Sequence, residues 1–211
     1  MIEPNNLKPL FTIVFWLSAL LCVAPARAEA PVLLVLGDSL SAGYGFPVER
    51  GWVSLLQRRL AERGYPQRVV NASISGDTTS GGLSRLPAAL ERERPAIIIL
   101  ELGANDGLRG QSPATISDNL ARLIELSQKA GARVLLAEMR IPPNYGPSYT
   151  QKFQAMFGDL ARRYTIALIP FLLDGVAGDP TLTQDDGIHP RAEAQQRILD
   201  NVWPTLEQAL K

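Results

Sequence analysis

Short runs of aliphatic residues alternate with helical segments along most of this chain, and the alternation strongly limits the folds available to it. The runs, rich in valine, isoleucine and leucine, lie at 32–36, 69–70, 96–100, 134–136 and 166–169. Strands that alternate with helices form a parallel sheet, because each helix returns the chain to the edge where the previous strand began. We therefore predict an α/β fold in which a parallel sheet carries helices on both faces.

The segments between these runs have helical signatures. Apolar residues recur with helical spacing from Trp52 to Leu60, and this segment is expected to end at Gly64. Further helices are predicted over about 80–93, 113–131, 153–160 and from 191 onward. Pro204 is expected to end or kink the last of them.

The composition narrows the possible chemistry. The 211 residues have a formal net charge of zero, which gives no reason to expect a nucleic-acid partner. Cys22 is the single cysteine and lies in the N-terminal apolar segment, so a disulfide or a thiolate metal site is not expected. His189 is the single histidine, which excludes a multi-histidine metal centre and makes it the only candidate imidazole base.

The N-terminus resembles an export signal. Lys8 precedes an apolar stretch at 9–24, and the small residues of Ala26-Arg27-Ala28 are typical of a cleavage site. The stretch is about 16 residues long, short of the roughly 20 needed to span a bilayer. We predict a cleaved signal peptide over 1–28, a single domain over 29–211, a periplasmic location without stable membrane insertion, and a monomer. The alternatives are cleavage after Ala30 and an uncleaved anchor.

Polar clusters follow the predicted strands. The sequence GDSLS at 37–41 comes directly after the first strand, Gly76 follows the second, and GAND at 103–106 follows the third. Because the carboxyl ends of parallel strands share one edge, these three clusters should lie together where ligands bind. A fourth cluster, DDGIH at 185–189, precedes the last helix and is placed at the same edge by hypothesis.

These clusters contain the groups that an acyl-transfer hydrolase needs. Ser39 can supply the nucleophilic hydroxyl and His189 the base. Asp186, three residues before His189 on a glycine-containing turn, can orient the imidazole, and Asp185 is the competing candidate. Donors for the oxyanion could be the backbone N–H groups of Ser39 and Gly76 and the side-chain amide of Asn105.

Each of these residues also has an ordinary structural explanation. Asp38 or Ser39 could only cap a helix, Gly76 could only form a turn, and His189 could only pack before Pro190. It is their joint occurrence at predicted loop ends that favours a catalytic site. The Gly-x-Ser-x-Gly elbow of α/β-hydrolases does not occur in the sequence.

The same clusters resemble the four conserved blocks of the SGNH, or GDSL, hydrolases. These are GDSLS at 37–41, the glycine at 76, Gly-x-Asn-Asp at 103–106 and Asp-x-x-His at 186–189. Longer segments, among them LGDSLSAGY at 36–44 and ELGANDGLRG at 101–110, are similar to the bacterial periplasmic thioesterase, lysophospholipase and arylesterase branch.

The resemblance implies a flavodoxin-like three-layer α/β/α sandwich with a five-stranded parallel sheet. It also implies a serine esterase that hydrolyses acyl thioesters, lysophospholipids and aryl esters, small-molecule substrates that need no cofactor or metal. Five residues that could line an acyl groove are Leu108, Ile141, Pro142, Asn144 and Tyr145; ordinary packing is the alternative. The rival functions are a carbohydrate O-deacetylase with the same machinery and a non-catalytic lipid carrier.

Overall fold

The computed structural model describes residues 30–211, and the predicted signal peptide lies outside them. Its sheet consists of five strands that are parallel throughout, in the order β2-β1-β3-β4-β5. The strands are β1 Val32–Gly37, β2 Arg68–Asn71, β3 Ile97–Glu101, β4 Arg133–Ala137 and β5 Ala167–Ile169. This confirms the predicted parallel sheet, and the strand order is that of flavodoxin-like folds.

Seven α-helices connect and cover the strands in the described part of the chain. They are α1 Ser39–Ala42, α2 Trp52–Glu62, α3 Thr79–Glu93, α4 Ala104–Leu108, α5 Pro113–Lys129, α6 Pro147–Tyr164 and α7 Gln195–Leu210. Helices α2 and α7 pack together on one face of the sheet, whereas α3, α5 and α6 pack side by side on the other. Within residues 30–211, no helix is both long enough and apolar enough to cross a membrane.

Burial on both faces of the sheet explains why the central strands β1 and β3 have continuous apolar sequences instead of alternating ones. Every residue of β1 and of β3 is buried, because helices cover both faces of the sheet at these positions. Glu101, the last residue of β3, is the one charged side chain in either strand and is fully buried.

The expectation for Pro204 was wrong in part. Helix α7 continues through Pro204 to Leu210. Apolar side chains on both sides of the proline, Val202 and Trp203 before it and Leu206 after it, are buried against the core. Packing of this face stabilises the helix although the proline nitrogen cannot donate a hydrogen bond. The segment at 192–194, expected to be the start of the helix, forms a 3₁₀ turn before it.

Candidate active site

Ser39 lies where β1 passes directly into α1. Asp38 is the N-cap of this short helix, and its carboxylate accepts a hydrogen bond from the Leu40 N–H at 3.0 Å. The capping role considered for Asp38 is therefore real, and it leaves the Ser39 hydroxyl free to point along the sheet edge. Glycine fits this position closely, because a Cβ on residue 37 would lie 2.5 Å from Glu101 Oε2.

The loop at 184–190 brings His189 to the same edge, as hypothesised. His189 Nε2 lies 2.9 Å from Ser39 Oγ, and His189 Nδ1 lies 2.6 Å from Asp186 Oδ2. Asp185, the competing orienting group, instead pairs with Arg191 at 2.7 Å, and its side chain is 99% exposed. The three residues Ser39, His189 and Asp186 form a continuous hydrogen-bonded chain.

The carboxylate of Asp186 is held by the turn that it belongs to. Its Oδ1 accepts hydrogen bonds from the backbone N–H groups of Ile188 and His189, each at 2.9 Å. Burial alone would raise the pKa of Asp186, but the hydrogen bonds from the His189 ring and from these two N–H groups lower it to about 2. Asp186 is therefore ionised throughout the neutral range and can stabilise an imidazolium.

Contacts from outside the four clusters fix the position of this loop. Gln184 donates its backbone N–H to the His189 carbonyl at 2.7 Å and its side-chain amide to the Tyr44 carbonyl at 2.9 Å. The ring of Tyr44 packs on the imidazole with a centroid separation of 4.4 Å. Sequence reasoning did not assign these roles to Gln184 and Tyr44, since neither follows from local spacing.

Asn105 lies in α4 and lines the same cavity as Ser39, whereas Gly76 lies in the loop after β2 and is not among the residues that line this cavity. Asn105 donates one amide hydrogen to Asp38 Oδ2 at 2.9 Å, and the second hydrogen of this amide is available to a ligand. Gly76 has a φ of +79°, the left-handed conformation that favours glycine. An added Cβ would meet no protein atom within 4 Å, so among the described residues it is the backbone conformation that favours glycine here.

Arg85 of α3 links the loop at 72–78, which contains Gly76, to the end of β1. Its guanidinium forms a 2.7 Å ion pair with Asp77 and donates hydrogen bonds to the carbonyls of Ala72 and Gly37. From the opposite side, Arg109 donates to the Gly76 carbonyl at 3.1 Å. The backbone around Gly76 is thus held in place before any substrate arrives.

A cavity of about 660 Å³ opens beside Ser39 and His189. Of the five residues expected to line an acyl groove, Leu108, Ile141 and Pro142 line it. Asn144 and Tyr145 are not among the lining residues, and the Tyr145 hydroxyl is instead hydrogen-bonded to the Leu108 carbonyl at 2.7 Å. Further apolar lining residues, which the sequence reasoning missed, are Met139, Phe171, Leu173, Ala177 and Ile188.

Within residues 30–211, no three His, Cys, Asp or Glu side chains come together as a set of metal ligands. The polar groups at this edge are instead a hydroxyl, an imidazole, a carboxylate and N–H donors, which is the set used in acyl transfer.

Known proteins share this arrangement of sequence and fold. The sequence profile of the GDSL-like Lipase/Acylhydrolase family matches residues 35–197. Esterase TesA of Pseudomonas aeruginosa is 53% identical over 87% of this chain and 92% of its own length. The arylesterase of Vibrio mimicus is 46% identical over 86% of this chain and 90% of its own length. The thioesterase 1/protease 1/lysophospholipase L1 of Escherichia coli K12 is 43% identical over 82% of each chain.

The solved structures agree with the sequence comparison. A crystal structure of TesA superimposes with a TM-score of 0.83 and covers 85% of this chain and 99% of its own. Fold, site and relatives together define the class of this protein as a serine ester hydrolase. The chain belongs to the GDSL-like lipase/acylhydrolase family.

Proposed function

We propose that this protein hydrolyses acyl esters and thioesters through an acyl-enzyme formed on Ser39. The observation that carries the proposal is the chain of contacts from Ser39 Oγ to His189 Nε2 at 2.9 Å and from His189 Nδ1 to Asp186 at 2.6 Å. Ser39 attacks the acyl carbonyl while His189 accepts its proton, and Asp186 stabilises the imidazolium that forms. His189 then protonates the leaving alcohol or thiol, and water activated by the same imidazole releases the acid.

The negative charge that develops on the carbonyl oxygen is bound by three donors in this proposal. They are the backbone N–H groups of Ser39 and Gly76 and the second amide hydrogen of Asn105. Asp38 fixes the amide through the first hydrogen, so the donor does not need to reorganise when the charge appears.

Replacing Asn105 with alanine is expected to lower kcat by about a hundred- to a thousandfold, because one oxyanion donor is lost. The KM for the same ester should change little, since the donor binds the transition state more strongly than the neutral carbonyl. Steady-state kinetics with a para-nitrophenyl ester measure both constants. An unchanged kcat would show that the Asn105 amide does not bind the oxyanion.

The cavity supports a fatty acyl group as the substrate moiety. Its volume of about 660 Å³ is typical of pockets for drug-sized ligands and exceeds what an acetyl group occupies. Its apolar lining is contributed by residues from α4 and from the segments after β4 and β5. The substrates proposed on this basis are medium-chain to long-chain aryl esters, acyl thioesters and lysophospholipids, activities that the names of the relatives include.

A panel of substrates tests this proposal against its rivals. The purified protein would be assayed with para-nitrophenyl esters from acetyl to palmitoyl, an acyl-CoA, a lysophospholipid and an acetylated sugar. Faster turnover of octanoyl and longer esters than of acetyl esters is expected. A preference for acetylated sugars would favour the deacetylase, and fatty-acid binding without ester turnover would favour the lipid carrier.

A bulky side chain at Ala177 should shorten the acceptable acyl chain. Ala177 is exposed in the cavity wall, so Ala177→Trp places an indole where the distal methylenes would lie. Excluding three methylenes costs about 2.4 kcal/mol, which is a fall of about fiftyfold in kcat/KM for long esters. Acetyl ester hydrolysis should be unchanged. The control is Ala130→Trp at the exposed end of α5, and equal loss for both ester lengths would contradict the assignment of the cavity.

The location and assembly of the protein are further proposals. The charged residue, apolar stretch and small residues at 1–28 support export to the periplasm with removal of this segment, which leaves the domain at 29–211. We propose that this domain acts as a monomer. N-terminal sequencing of the periplasmic protein and light scattering test the two statements.

A further inference from the structure

Glu101 is a buried acid beneath the proposed nucleophile, and the mechanism above gives it no role. It ends β3 next to β1, and none of its surface is exposed. Its Oε2 accepts hydrogen bonds from the Ser41 hydroxyl at 2.6 Å and from the Asp38 N–H at 3.2 Å. No donor within residues 30–211 reaches its second oxygen, Oε1. Burying a carboxylate with an oxygen that lacks a donor costs much more free energy than burying the neutral acid.

The neighbour of Glu101 is a second buried acid. Asp38 is 1% exposed, and its backbone N–H donates to Glu101 Oε2 at 3.2 Å, so the two acids are adjacent in the core. Ionised carboxyl groups only accept hydrogen bonds and repel each other, so two adjacent buried acids favour a state in which one of them keeps a proton.

The neighbouring groups favour the ionised form of Asp38 and the protonated form of Glu101. Both carboxylate oxygens of Asp38 accept from other donors, the Leu40 N–H and the Asn105 amide. His189 lines the same cavity as Asp38, and an imidazolium there would favour the charged form of Asp38. Burial, and then the charge of Asp38, raise the pKa of Glu101 well above its usual range, whereas burial raises the pKa of Asp38 to about 6. Arg85 of α3 is a further charged group at this end of β1, and its guanidinium donates to the Gly37 carbonyl at 3.2 Å.

We propose that Glu101 is a positioning residue, a neutral carboxylic acid that accepts the Asp38 N–H and thereby holds Asp38 and Asn105 in their catalytic arrangement. The inference rests on the function proposed above. Glu101 Oε2 accepts a hydrogen bond from the Asp38 N–H, and the Asp38 carboxylate accepts one from the Asn105 amide. The second N–H of this amide is then oriented towards the oxyanion. Keeping Glu101 neutral also leaves one negative charge near the developing oxyanion, where a second would oppose it.

Two substitutions at Glu101 separate this role from simple packing. Glutamine is neutral like the protonated acid and keeps a carbonyl acceptor beside an N–H donor group, so Glu101→Gln should keep kcat within about threefold of the wild type. Methionine has similar bulk but cannot hydrogen-bond in this way, so Glu101→Met should lower kcat by about ten- to a hundredfold at nearly constant KM. The exposed Glu91 of α3 provides the control Glu91→Gln. Equal losses in the glutamine and methionine variants, or no loss in either, would overturn the proposal.

The pH profile adds a readout that packing does not affect. In the wild type, kcat should fall in alkali as Glu101 loses its proton, and Glu101→Gln should lack this fall. The same alkaline fall in both proteins would contradict the proposal.

Infrared spectroscopy detects the proton without any substrate. At pH 7 the wild type should show the carbonyl band of a protonated carboxylic acid, and Glu101→Gln should lack it. Absence of the band from the wild type would overturn the proposal even if the variants failed to fold. Because the band does not depend on turnover, failure of the serine mechanism and failure of the protonated Glu101 are distinguishable.

Discussion

Replacing Ser39 with alanine is expected to lower kcat for a para-nitrophenyl octanoate substrate by about 10⁴- to 10⁶-fold. The variant has no oxygen to form the acyl-enzyme, and the oxyanion donors and cavity can supply only a residual acceleration. The Ser39 hydroxyl makes its side-chain hydrogen bond with His189 alone, so its removal should leave the fold and the melting temperature nearly unchanged.

The matched control is Ser84→Ala in α3. Ser84 is an exposed serine, and its hydroxyl donates only to the Gly81 carbonyl, so turnover should remain at the wild-type level. Steady-state rates and melting curves would be measured for the wild type, Ser39→Ala and Ser84→Ala. Wild-type turnover in Ser39→Ala would reject the serine mechanism, and the same loss in both variants would indicate a general defect.

The second large effect is expected for Asp186→Asn, which should lower kcat by about 10³- to 10⁴-fold. Asparagine can keep the Oδ1 contacts to the backbone, but it presents an amide N–H to His189 Nδ1 in place of a carboxylate oxygen. The imidazole would then carry its proton on Nε2, facing Ser39, and could not accept the serine proton.

The adjacent residue provides a close control for this substitution. Asp185→Asn makes the same chemical change one position earlier, at a side chain that pairs with Arg191 and is 99% exposed. Its kcat should match the wild type. If the two variants lost equal activity, loop integrity rather than imidazole orientation would explain the effect. A full kcat in Asp186→Asn would exclude Asp186 as the orienting group.

The sheet was predictable because β1 and β3 are buried on both faces and therefore appear as uninterrupted apolar runs. Two of the polar clusters, GDSLS and GAND, directly follow these strands, which is why Ser39 and Asn105 could be expected at one edge of the sheet. The choice of Asp186 over Asp185 depended on a three-residue turn, and the structure places Asp186 against His189.

Other features depend on contacts between distant segments and could not be predicted locally. Phe171 and Ala177 line the cavity from the segment after β5, while Tyr145 turns away to bond the Leu108 carbonyl. Helix α7 continues through Pro204 because its flanking side chains pack in the core. Glu101 ends an apolar strand, and its pairing with Asp38 appears only when β3 lies beside β1.

The most direct test of the serine mechanism is active-site labelling with a para-nitrophenyl alkylphosphonate, followed by peptide mass spectrometry. We predict one phosphonyl group per molecule on Ser39, in step with loss of esterase activity, and no label in Ser39→Ala. Labelling at another residue, or full inactivation without modification of Ser39, would contradict the account.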